Sequence, residues 1–184
     1  MQQTPIETPR LILRPFELGD APEVQRLAGE FAIADTTLNI PHPYEDGMAE
    51  DWISTHAPSF EQGEHAAFAI TLRTDGQLIG AISLVIERRF DKAELGYWIG
   101  KPFWSKGFCT EASVALLSYG FDAMGLNRIG ARYLARNPAS GRVMEKAGMQ
   151  REGIARQATR KWDRYEDMVL YAALRSEWSP PSDD

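Results

Sequence analysis

The stretch Trp104-Ser105-Lys106-Gly107-Phe108-Cys109-Thr110-Glu111-Ala112, "WSKGFCTEA", decides how the chain around it is read. It follows "AELGYWIGKPF" (93–103), which alternates like a strand and ends in a turn, and it precedes "SVALLSYGFDAMG" (113–125), which reads as a helix. Glycine inside a helix costs about 1 kcal/mol relative to alanine, so Gly107 at this junction calls for a reason. A strand that enters a glycine turn and then a helix exposes consecutive backbone N–H groups. The first of these have no intrahelical partner, and the helix macrodipole puts partial positive charge there. A phosphate suits such a place; Gly107 would clear a Cβ from its path and Lys106 would add a mobile charge. The spacing is neither G-x-x-x-x-G-K-[ST] nor G-x-G-x-x-G. On the residues alone, an anion cradle and an ordinary strand-to-helix turn both stand.

The elements outward from that turn are legible from periodicity. Toward the N-terminus, "RLILRPFE" (10–17) alternates as a strand, with Leu11, Leu13 and Pro15 on one face. Asp20 as N-cap and Pro22 in the first turn predict a helix over "GDAPEVQRLAGEF". A second helix is expected over 46–60, broken around Pro58. "AAFAITLR", the turn "TDG" and "QLIGAISLVIER" form a hairpin, followed by the strand "KAELGYWIG". After the glycine turn the helix is expected over 110–124, closed by Gly125. "NRIGARYLA" is a strand, and "NPASGRVMEKAG" a short helix with Asn137 at the N-cap and Pro138 at N1. "MQREGIARQ" and "DRYEDMVLYAALR" close the chain as strands. The pattern predicts an α+β fold, a mixed sheet of about seven strands with about four helices on its faces. It forms one domain over 1–178, with a frayed tail at 179–184.

Composition sets the outer bounds. The 184 residues, 43% hydrophobic and 25% charged, suit an ordinary globular domain. With Cys109 as the only cysteine, no disulfide can form within the chain. No apolar run approaches the roughly 20 residues that span a bilayer, and the start lacks a signal-peptide pattern. A cytoplasmic protein without a membrane partner is expected. Net charge is −6, but residues 128–161 sum to +7 and the remainder to −13. Residues 27–72 carry eight acids and no Lys or Arg. A basic segment suits an anionic ligand and an acidic one a cationic ligand, although two merely solvated faces would read the same way.

Here the motifs carry a resemblance. "ELGYWIGKPFWSKGFCTEA" resembles the acetyl-coenzyme A motif of GNAT N-acetyltransferases, particularly the RimJ/RimL-like branch. That motif reads [QR]-x-x-G-x-[GA]; here Trp104 stands at its first position and Cys109 at its last. "NPASGRVMEKAGMQREG" is similar to the second signature, N-x-x-S-x-x-[VLAI]-x-E-K-x-G-[FM], over Asn137, Ser140, Val143, Glu145, Lys146, Gly148 and Met149. "TPRLILRPFE" and "YAALRSEW" resemble the branch's first and last strands.

The resemblance implies an N-acetyltransferase that moves the acetyl group of acetyl-CoA directly to a primary amine, with no metal. It implies that Trp104, Ser105, Lys106, Gly107, Phe108, Cys109 and Thr110 cradle the pyrophosphate, and that Trp98 and Ile99 bind the pantetheine through main-chain groups. Asn137, Ser140 and Lys146 would also touch the cofactor, with Ser140 hydrogen-bonded to the departing thiolate. An Asn before Pro at a helix start is equally a good cap. Strand alternation puts Glu94, Gly96 and Trp98 on one side and Leu95, Tyr97 and Ile99 on the other. Glu94 is the candidate base, direct or through water; Tyr97 and Trp98 read as sheet-packing aromatics.

The acceptor pocket is expected from the first two helices, where Phe31, His42, Tyr44, Trp52 and Phe60 and the acidic charge could hold an amine: a protein N-terminus, a polyamine or an aminoglycoside. A Cys109 nucleophile would need a nearby base, and the three histidines lack metal-ligand spacing. Two other classes compete: an acetyl-CoA sensor without turnover, and a nucleic-acid binder using the basic segment, against which the net charge and the missing reader motif weigh. Sheet edges would suit a homodimer.

Overall fold

The computed structural model describes residues 3–181, and the alternation of the first long strand is realised in it. Leu11 and Leu13 are fully buried, while Ile12 and Arg14 are half-exposed. Eight strands form one sheet: β1 (Ile6–Glu7), β2 (Leu11–Arg14), β3 (His65–Leu72), β4 (Leu78–Glu87), β5 (Lys92–Ile99), β6 (Arg128–Leu134), β7 (Gln150–Lys161) and β8 (Arg164–Leu174). Their order is β1-β2-β3-β4-β5-β6-β8-β7. All neighbours are antiparallel except β5 and β6. A parallel pair needs a crossover, and α5 (Phe108–Asp122) supplies it.

The remaining helices are α1 (Ala21–Ala28), α2 (Phe31–Thr36), α3 (Met48–Ser54), α4 (His56–Glu61) and α6 (Pro138–Lys146). One face of the sheet meets α5 and α6 through Phe68, Ile82, Leu84, Leu95, Leu116 and Leu117. The other meets α1, α2 and α3 through Val24, Leu27, Ile33, Ile53, Ala81 and Trp98. Each large apolar side chain buried this way contributes roughly 1.5–3 kcal/mol.

The α+β sheet is as expected; its details differ in identifiable ways. There are eight strands rather than about seven, because two residues ahead of β2 pair with it as β1 (Ile6↔Leu13). Six α-helices replace about four among the described residues. Helix α2 was hidden in an irregular apolar run, and the helix over 46–60 breaks at Thr55, not at Pro58. Pro58 sits in the first turn of α4, where a missing N–H costs nothing. Asp20 occupies the N-cap of α1 but makes no cap bond; its carboxylate is bound by Arg14 at 2.7 and 2.8 Å and by the Glu17 amide. The last three residues of the expected tail lie outside the described ones.

Candidate functional site

Strands β5 and β6 stop pairing partway along their length. Their parallel register runs from Lys92↔Arg128 to Leu95↔Ala131 and ends there, although β5 continues to Ile99 and β6 to Leu134. Gly96 to Ile99 remain paired with β4 alone. Main-chain groups left along a strand edge need other partners, and here the edge opens into a cleft of about 580 Å³.

Helix α5 begins at one end of this cleft. It starts at Phe108, two residues before the expected Thr110, with Gly107 at the N-cap. Gly107 has φ +80°, a left-handed conformation that other residues adopt only at a cost. Having no side chain, it cannot cap the helix, so the N–H groups of the first turn lack the usual side-chain acceptor. The loop is braced from behind. Arg10 donates to the Lys106 carbonyl (2.9 Å) and to Glu111 (2.6 Å), and its guanidinium lies over the Phe108 ring at 4.8 Å. Glu111 also accepts from the Thr8 hydroxyl at 2.6 Å. A Cβ on Gly107 would come within 3.3 Å of the Arg10 guanidinium.

The cleft wall includes Trp98, Ile99, Trp104, Ser105, Gly107, Phe108, Cys109 and Thr110 from β5 and the loop into α5. Lys106 is not on it; its ammonium lies over the Phe103 ring at 5.5 Å. The Trp104 indole donates to the Ile99 carbonyl, so that particular acceptor is already used. Burial pushes the Cys109 thiol up to about 12, which leaves little thiolate for a nucleophile at neutral pH.

From α6 the cleft receives Asn137, Ser140 and Lys146. Asn137 holds the N-cap position but makes no cap bond, so its amide is not spent on the helix. The Ser140 hydroxyl is 2.8 Å from the Tyr97 hydroxyl. Glu145 faces elsewhere and accepts from Tyr171 at 2.7 Å. Glu94 lines the cleft from β5 and is ion-paired with Arg132 at 2.8 Å.

The opposite end is walled by Ile33, the segment Thr36–Ile40 and Trp52. Of the expected acceptor residues, Trp52 is therefore on the wall and Phe31 and Tyr44 are not. Phe31 stacks on Trp162 (5.9 Å between centroids) and meets His42 edge-on, and Tyr44 packs, partly buried, against the core cluster that includes α1. The eight acids of 27–72 do not line the cleft either. Asp35, for example, is held by Arg136 at 2.8 Å and by the Trp162 indole at 3.0 Å. The basic segment is likewise partly neutralised, since Arg128, Arg132, Arg136 and Arg160 all pair with carboxylates.

Sequence reasoning named Arg132 and Arg142 only as members of the basic segment, passed over Tyr133 and set Tyr97 aside as packing; all four line the cleft. Arg142 had a signal: it lies four residues before Lys146, on the same helix face. Tyr97 had none, because a strand aromatic looks the same whether its hydroxyl has work or not. No group of three or more metal-ligating side chains occurs among the described residues, and no helix among them is long and apolar enough to cross a membrane.

Residues 10–150 match the acetyltransferase (GNAT) domain family. The chain is 32% identical to the uncharacterised N-acetyltransferase YnaD of Bacillus subtilis, over 95% of this chain and 99% of that protein. It is 30% identical to the ribosomal protein uS5-alanine N-acetyltransferase of Escherichia coli, over 65% of this chain and 63% of that one. Among solved structures, Mycobacterium smegmatis RimJ in complex with CoA-disulfide superposes with a TM-score of 0.83 at 22% identity, covering 95% of this chain and 88% of that one. That last likeness is one of fold.

Proposed function

The chain belongs to the acetyltransferase (GNAT) family and is an N-acetyltransferase with acetyl-CoA as its acetyl donor; on that premise we propose that its acceptor is the α-amino group of a protein N-terminus. The observation that carries this reading is charge. Among the described residues, Glu94 is the one carboxylate on the cleft wall, and Arg132, Arg142 and Lys146 share that wall with it. A polyamine or aminoglycoside brings several positive charges and favours several carboxylates, whereas one α-ammonium can share the single carboxylate that Arg132 also holds. The curated relative that acetylates the alanine of ribosomal protein uS5 agrees with this choice.

The donor's fit rests on three features of the chain. An uncapped first turn at α5 offers N–H groups to a pyrophosphate. Gly107 takes the left-handed turn that leads into α5 (φ +80°), its missing Cβ facing the Arg10 brace rather than the cleft, and the edge of β5 from Gly96 to Ile99 is free of β6. Phe108, Cys109 and Thr110 would hold the phosphates through their amides, Trp98 would meet the pantetheine through its main chain, and Asn137 through its unspent side chain. Bound there, acetyl-CoA supplies a thioester whose carbonyl the amine attacks and whose sulfur departs.

What the protein must do is hold the two partners together. An α-amino group has a pKa of about 8, so roughly a tenth is neutral at pH 7; for lysine the fraction is below about a thousandth. An N-terminal acceptor therefore asks only for a weak base or a water beside Glu94. Orientation can be worth about 7–11 kcal/mol, more than the 10²–10⁴-fold of a typical general base. Positioning therefore dominates, with Ser140 offering a hydrogen bond to the sulfur rather than a full proton, since a serine hydroxyl is a far weaker acid than a thiol. Thiol release from acetyl-CoA, followed across N-terminal peptides, polyamines and aminoglycosides, tests the acceptor. Turnover on peptides is expected, and turnover confined to polyamines or aminoglycosides would overturn the proposal.

A further inference from the structure

Tyr97 and Ser140 share a hydrogen-bond arrangement with more acceptors than the tyrosine can serve. The Tyr97 hydroxyl lies 2.8 Å from Ser140 Oγ and 3.0 Å from the Ser140 carbonyl oxygen. It carries one proton. If that proton goes to the carbonyl, the contact to Oγ must be made by the serine, whose own proton then points at the phenol. If it goes to Oγ, the serine proton is released to point into the cleft. No other hydrogen bond holds the Ser140 hydroxyl among the described residues, so Tyr97 decides between the two.

The placement is built by both elements. Tyr97 lies just past the point where β5 and β6 part, on the face covered by α5 and α6, among Leu95, Ile99 and Cys109. Helix α6 comes close enough because residue 141 is glycine: a Cβ there would stand 2.5 Å from the Tyr133 hydroxyl oxygen. Burial raises the Tyr97 phenol above its ordinary range, so at neutral pH it always has the proton to give.

We propose that Tyr97 is a positioning residue for acetyl transfer: its hydroxyl donates to Ser140 Oγ and thereby turns the serine proton toward the departing sulfur. This rests on the reading that Ser140 meets that sulfur. As negative charge grows on the sulfur, the arrangement with the serine proton in the cleft becomes the favoured one. The carbonyl is the proton's resting place when the cleft holds no anion.

Steady-state kinetics of Tyr97→Phe, Ser140→Ala and the double variant test the proposal, with thermal midpoints to check folding; phenylalanine keeps the ring that fills the core. Tyr97→Phe is expected to lower kcat about tenfold, the scale of one hydrogen bond to a developing charge. The KM values for acetyl-CoA and for the acceptor should stay within about twofold, because neither ground state uses the serine proton. Ser140→Ala should lose at least as much, and adding Tyr97→Phe to it should cost nothing further. An unchanged kcat in Tyr97→Phe would overturn the proposal. So would an equal loss from Tyr97→Phe in both backgrounds, which would leave the role of Ser140 standing. A wild-type kcat in Ser140→Ala would instead remove the reading of Ser140 itself, and the role of Tyr97 with it.

Discussion

Arg132 and Glu94 form an ion pair of 2.8 Å across the two central strands, at the place where their pairing ends. Both side chains are about half-exposed, at 48% and 46%, so the pair faces the cleft without being sealed in it. A carboxylate so placed can attract an ammonium and orient a water, which is what an α-amino acceptor requires. Glu94→Gln is therefore expected to reduce kcat by less than about a hundredfold, within the lower range of general-base effects. A rate assay at saturating acetyl-CoA checks this; near-total loss with intact binding would mean that proton removal, not positioning, sets the rate.

Gly107 makes a separate prediction about the donor. Its φ of +80° and the 3.3 Å approach of Arg10 to a hypothetical Cβ mean that Gly107→Val distorts the start of α5. Left-handed backbone at a non-glycine residue costs roughly 1–2 kcal/mol, so acetyl-CoA affinity should fall about tenfold or more. The acceptor KM should move much less. Titration calorimetry with acetyl-CoA and with CoA reads the first effect directly.

Lys161, at the end of β7, holds a segment of the cleft wall from behind. Its buried ammonium donates to the carbonyls of Leu38 (3.2 Å) and Ile40 (3.1 Å), within the segment that walls the acceptor side. Lys161→Met would leave both carbonyls without their donor, at a cost of about 1–3 kcal/mol. A lower thermal midpoint is expected, together with a severalfold rise in acceptor KM and no comparable change for acetyl-CoA.

His56 predicts a pH dependence of stability. It is 4% exposed, and neither ring nitrogen has a hydrogen-bond partner. Its ring packs edge-on to Trp52 at 4.4 Å, with His65 at 5.7 Å. Burial pushes its pKa down to about 4, against about 6.5 in an unfolded chain. The unfolded state therefore binds more protons between those values. Stability is whole above about pH 6.5 and declines as the pH falls toward 4, by up to about 3 kcal/mol. Denaturant melts from pH 7 to 4 should show the decline, and His56→Phe should reduce it, leaving the share of His65, whose pKa burial also lowers.

Period-2 alternation made β2 legible, because one of its faces is buried, as Leu11 and Leu13 show; β3 is buried on both faces and was legible as a continuous apolar run instead. Gly107 was legible as a candidate because it breaks a local rule, a glycine where a helix begins, whereas Asn137 was named by the motif it shares with the family, since locally it reads as an ordinary cap; only the structure shows its side chain capping nothing. The acceptor end was less legible. The acids of 27–72 suggested a pocket for a cation, but a charge run does not say which way its side chains face. Asp35 faces Arg136 and Trp162, residues more than a hundred positions away. Helix α2 packs on α1, and α4 on β3, contacts that the periodicity of these short helices does not announce. The Tyr97–Ser140 contact spans 43 residues, and no local pattern announces it.

The most direct test of the acceptor assignment uses one peptide that carries both a free α-amino group and an internal lysine. After incubation with the protein and acetyl-CoA, fragmentation mass spectrometry locates the acetyl group. The account predicts acetylation at the α-amino nitrogen with the lysine untouched. Acetyl on the lysine, or no acetylated peptide while spermidine is turned over, would contradict it.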